Sequence, residues 1–240
     1  MHSLDMTNNS DQAFQLIESI FEYSYFSIDS GIQKEAIGYL GGLIKSIREL
    51  RNEFINENNE IRANECLDVI IYAYVCKRKL ECILSLKKSN MHKAYDYLID
   101  AQRSAEKGIE AGFQEDRYRE KLNDLVKMEN LLFPRQLWCS VGMINNEITC
   151  SICGLSVFDC LHISGQPYMG KLCYMKYNDV ELEHIAVIPF GVPENKKCRT
   201  KYFVEGGYKI DCITKSVLGK TKDKDGTVKM LAMVTSELEY

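Results

Sequence analysis

The sequence predicts an α+β protein, with an all-helical bundle over residues 1–134 and a small β-rich domain over residues 135–240. Two observations carry this. All four prolines of the 240-residue chain (Pro134, Pro167, Pro189, Pro193) lie between 134 and 193, so the first 133 residues are free to run as long helices. From Trp138 onward the apolar residues stop recurring at helical spacing and fall into short β-branched runs separated by turn residues. A chain of this length suits two domains of ordinary size.

Ser10 followed by an acidic first turn reads as a helix cap, and Phe14, Ile17, Phe21 and Tyr25 then mark a helix over 11–28. Beyond the break at Asp29-Ser30-Gly31, Ile37, Leu40, Ile44, Ile47 and Phe54 form the stripe of a second helix over 32–56. Leu67, Ile70, Ile71 and Tyr74 give the spacing of a third, which continues through Leu80 and Leu84 and stops at Lys87-Lys88-Ser89-Asn90. Ala94, Leu98, Ala101 and Ala105 make a fourth stripe of small residues, which lets two helices approach closely. Leu122, Leu125 and Leu132 belong to a fifth helix that ends before Pro134. The third and fourth helices together resemble one tetratricopeptide unit, with Ala94, Leu98 and Ala101 at its packing positions. No second copy is visible at the repeat period, and a plain helical hairpin fits the same residues.

In the C-terminal part, Ile185–Ile188, Tyr202–Val204, Tyr208–Ile213 and Val228–Val234 read as strands. Asp225-Gly226 is a hairpin turn expected to join the last of these to a run over Cys212–Val217. The segment from Lys220 to Asp225 reads as a solvated loop tip, and a turn is expected at Asn145-Asn146.

Net charge is −4, so the whole-chain field does not attract phosphate backbones or anionic membranes. The longest apolar run, Leu67 to Cys76, is half of what a membrane span needs and is broken by Asp68. The opening residues Met1-His2-Ser3-Leu4-Asp5 lack the pattern of a secretory signal, so a cytoplasmic location is expected. In such a reducing compartment, spaced cysteines point to metal rather than to disulfides.

Ten cysteines are present, and the densest cluster is Cys150-Ser-Ile-Cys153-Gly154, then Cys160-Leu-His162, then Cys173. Zinc takes four soft or borderline ligands in a tetrahedron, and a C-x2-C turn presents two thiolates to one point, with Gly154 supplying the tight backbone beyond. Cys160 and His162 close the site, giving Cys150, Cys153, Cys160 and His162 as the expected Zn2+ ligands. Cys173 is the alternative to His162. A complete Cys3His set leaves no open position, so the site is structural rather than catalytic.

Ser140-Val-Gly-Met143, the cysteine-rich insert, and the run from Leu182-Glu183 to Pro193 together resemble the C-terminal half of the prohead maturation proteases of tailed phages. In that family a Ser-Ile/Val-Gly-Phe strand carries the nucleophile, and some members hold a similar Cys-Ser-Ile-Cys-Gly insert. The resemblance implies Ser140 as nucleophile, Glu183 as an orienting carboxylate, and a phage-related or phage-defence context. The family's catalytic histidine lies on an upstream strand, whereas the histidines upstream of Ser140 in this chain are His2 and His92, in a tail and at a helix start. His184 is expected to point away from Glu183, because neighbours on a strand face opposite sides.

A serine without a positioned base is a weak nucleophile. The residues therefore favour a non-enzymatic protein–protein interaction or assembly module with a structural zinc site, engaging a protein partner or a second copy. A serine protease-like hydrolase using Ser140 is the alternative. A nucleic-acid adaptor comes third, resting on the one local basic patch, Lys196, Lys197, Arg199 and Lys201.

Overall fold

The computed structural model describes residues 10–188 and 195–231. His2, the stretch 189–193 of the protease-like run, and residues 232–234 of the expected last strand lie outside the described residues. Five helices precede an antiparallel sheet: α1 (Ser10–Tyr25), α2 (Ser30–Asn56), α3 (Glu60–Lys87), α4 (Met91–Glu110) and α5 (Glu115–Leu132). The strands are β1 (Trp138–Cys150), β2 (Pro167–Tyr168), β3 (Lys171–Leu172), β4 (Met175–Ile188), β5 (Arg199–Glu205), β6 (Tyr208–Asp211), β7 (Val217–Lys220) and β8 (Val228–Leu231). The protein is α+β.

The polypeptide forms two compact units, and they interleave along the chain. The described part of the first comprises residues 10–127 and Ile148–Lys176, and that of the second comprises Met128–Glu147, 177–188 and 195–231. The cysteine-rich segment thus packs with the helices, where a division at 134/135 assigned it to the strands. The reason lies in hydrogen bonds from its hairpin to α3 and α4, described below.

In the first unit, α3 is the core element and packs against α1, α2 and α4. Leu67, Val69, Ile70, Ile71, Tyr72 and Ala73 are consecutive or nearly so and all buried, the mark of a helix surrounded on every side. The stripe Ala94, Leu98, Ala101 and Ala105 on α4 is fully buried. Gly108 extends it, since a Cβ there would sit 2.5 Å from the Tyr118 ring of α5. Tyr118 also reaches α3, its hydroxyl lying 2.7 Å from Asp68 Oδ1 and 2.9 Å from Asp68 O.

Caps set the helix boundaries. Asp29 Oδ1 accepts from Gly31 N at 2.7 Å, Asn59 Oδ1 from Arg62 N at 3.2 Å, and Asn90 Oδ1 from Lys93 N at 3.3 Å. α1 stops at Tyr25 rather than at 28, because buried Gln33 donates Nε2 to the carbonyls of Ser24 and Ser27 at 3.3 and 3.2 Å. α3 starts at Glu60, two turns before its first apolar stripe residue, since Asn59 caps it there.

The large sheet runs β4-β1-β5-β6-β7, with β8 also paired to β5, and β2 pairs with β3 in a separate hairpin. One expected turn and one expected strand are absent. β1 continues straight through Asn145-Asn146. The chain instead turns over 212–214 and enters β7 only at Val217, because Asp211 Oδ1 accepts from the backbone N–H groups of Ile213 and Thr214 at 2.8 and 2.7 Å. Consequently β6 pairs with β7, and β8 pairs with β5 through Phe203↔Val228 rather than with a strand over 212–217.

Candidate metal centre

Cys150 is the last residue of β1. The chain turns at once: Gly154 N donates to Cys150 O at 2.9 Å, and Gly154 adopts φ +74°, a left-handed conformation that glycine reaches without steric cost. Cys150 N returns to Leu155 O at 2.8 Å and Val157 N to Ile148 O at 3.1 Å, closing a small knuckle. The Ile152 N–H points at Cys150 Sγ from 3.4 Å. A second turn of the same kind follows, in which His162 N donates to Cys160 Sγ at 3.2 Å.

These turns bring one donor atom from each of Cys150, Cys153, Cys160 and His162 within 4.8 Å of one another. Cys153 Sγ and Cys160 Sγ are 3.5 Å apart, and Cys160 Sγ is 3.3 Å from His162 Nδ1. Four thiolates at about 2.3 Å from a zinc ion lie about 3.8 Å apart along each tetrahedral edge, so donors this close together could hold a metal ion. The His162 ring meets Tyr168 edge-on at 4.6 Å. All ten cysteines are free thiols.

The thiols are unequal. Backbone N–H groups, that of Cys153 foremost, lower Cys150 to about 6. Burial, together with the neighbouring thiols Cys150 and Cys153, raises Cys160 to about 11. Adjacent thiolates repel, and a bound dication relieves that repulsion.

The β2–β3 hairpin fastens the knuckle to the bundle. Gly170 N donates to Asn64 Oδ1 at 2.7 Å and Met169 N to Glu60 Oε1 at 3.1 Å, both on α3. Gln166 Nε2 donates to Glu110 O at 2.6 Å, occupying a carbonyl at the end of α4. No sequence pattern marked Glu60, Asn64 or Glu110 as partners of the knuckle, because a side chain that caps a distant turn looks like any polar surface residue.

The remaining candidates lie in the second unit. Ser140 is exposed on β1. Glu183 and His184 do not diverge as strand alternation implies, since Glu183 Oε2 is 3.3 Å from His184 Nδ1. The imidazole lies over Gly142, where any side chain would collide with it. The basic patch dissolves in three dimensions: Arg199 is fully buried, and Lys196 pairs with Glu129 at 2.7 Å. Among the described residues, no helix is long and apolar enough to cross a membrane.

No protein-family model matches the chain, and no curated protein and no solved structure matches it.

Proposed function

We propose that this protein is a non-enzymatic interaction module whose knuckle is held by a structural zinc ion and presents an apolar surface to a protein partner. The convergence of Cys150, Cys153, Cys160 and His162 within 4.8 Å carries the reading. The set fills a tetrahedron and leaves no position for substrate. Around it, Leu155, Phe158, Leu161 and Ile163 turn outward, Phe158 and Leu161 being 92 % and 97 % exposed. Single exposed apolar residues are ordinary, but four on one short zinc-held loop form a contact surface.

Purified under reducing, chelator-free conditions, the protein is expected to carry about one zinc per chain by elemental analysis. A Phe158→Ser/Leu161→Ser variant is expected to keep its zinc and its melting temperature while losing the partner that the unaltered protein retains on an affinity column. Absence of zinc would sink the structural-site reading, and undiminished partner capture by the variant would sink the surface.

A second reading, a hydrolase using Ser140, draws support from His184, which lies over Gly142 two residues along β1 and approaches Glu183. The Glu183 and His184 side chains are more than half exposed, which is poor ground for a charge relay that works by excluding water. Labelling by a fluorophosphonate that disappears in Ser140→Ala would establish this reading over the first.

A further inference from the structure

A further thiol lies beside the four converging donors. Cys173 Sγ is 3.7 Å from Cys150 Sγ, the edge of a zinc–thiolate tetrahedron, and both residues are buried. Cys173 is also rigidly placed: its N–H donates to Gln166 O at 2.9 Å, and its carbonyl accepts from Gly165 N at 2.8 Å. His162 instead sits in the loop that carries exposed Leu161 and Ile163.

Resting on the zinc reading above, we propose that Cys173 is a fifth donor of the same site. The ion is then held by Cys150, Cys153 and Cys160 together with either His162 or Cys173, in two overlapping ligand sets. The sets differ in what they tie together. With His162, the ion closes only the 150–162 loops. With Cys173, it also holds the β2–β3 hairpin, whose turn is bonded to Glu60 and Asn64 of α3. Exchange between them switches the mechanical link between the metal and the helical bundle while the ion stays bound.

Cobalt(II) titration of the full chain tests this, because tetrahedral cobalt reports both stoichiometry and sulfur count in its visible spectrum. His162→Ala is expected to bind one cobalt per chain with the d–d bands moved to longer wavelength, as a fourth sulfur replaces nitrogen. Cys173→Ser is expected to bind one with the bands of a three-sulfur, one-nitrogen site. The double variant is expected to lose stoichiometric uptake, while its helical circular dichroism reports whether it has folded. If the unaltered chain takes up cobalt but His162→Ala alone abolishes uptake, Cys173 is no ligand and the proposal falls while the zinc reading stands. If Cys173→Ser alone abolishes it, His162 is no ligand and the two-set proposal falls as well. Failure of the unaltered chain to bind any ion would overturn both.

Discussion

Asp68 lies on the most enclosed stretch of α3 with its carboxyl against the Tyr118 hydroxyl. Burial raises its pKa to about 6, opposed by that hydrogen bond and by the Arg117 charge. A carboxyl whose folded value lies above its unfolded one adds stability while protonated, and this is lost as pH rises from about 4 through about 6. Asp68→Asn, neutral throughout and still able to accept from Tyr118, should therefore be more stable than the unaltered protein at pH 7.5 by about 1–3 kcal/mol. At pH 4 the advantage should vanish. Denaturant melts at the two pH values give the comparison, and an equal effect at both would mean that Asp68 is ionised in the fold at no cost. In the sequence this residue read only as an interruption of an apolar run, because its partner is fifty positions away. The four donors Cys150, Cys153, Cys160 and His162 were legible for the opposite reason. Ligand type and short spacing are local properties, and the turns that gather them are local too.

At the scale of elements, the helices were legible because their stripes and caps are written within one or two turns. The strands were legible in part: the runs at Tyr202–Val204, Tyr208–Ile213 and Val228 onward fall on β5, β6 and β8, whereas β4 runs from Met175 and only Ile185–Ile188 stood out, since that strand is exposed along nearly all its length. The β2–β3 hairpin, with two residues in each strand, owes its position to its contacts rather than to its own pairing. Its turn residue Gly170 has φ +71°, and a Cβ there would lie 3.1 Å from Ala63 O and 2.9 Å from the Arg51 side chain. Gly154 has a similar φ, with nothing within 4 Å of a Cβ. Alanine at either position meets the left-handed penalty of about 1–2 kcal/mol. Gly170→Ala must in addition push the hairpin off α3, and should lower the melting temperature further than Gly154→Ala while leaving metal content unchanged. Equal shifts for the two variants would show that the hairpin contributes nothing to the bundle.

For the molecule as a whole, the boundary drawn at residue 134 followed composition, and composition does not record that the hairpin beside the knuckle bonds to α3, more than a hundred positions earlier. Because the knuckle belongs to the helical unit, chelating the metal should lower the thermal midpoint of the helical circular dichroism signal rather than spare it. A helical melt indifferent to chelator would mean that the knuckle unfolds by itself. The interleaving bears on synthesis as well as on stability. Gly170 N and Asn64 Oδ1 are separated by 106 positions, and Met169 N and Glu60 Oε1 by 109. As the ribosome extends the chain, α1 to α4 emerge and can pack at once, because all their mutual contacts lie within the first 110 residues. The surface of α3 that receives the hairpin must then wait, bare, until the cysteine-rich segment has left the exit tunnel. During that interval the nascent bundle is an incomplete template, and its completion depends on the arrival of a distant stretch of chain.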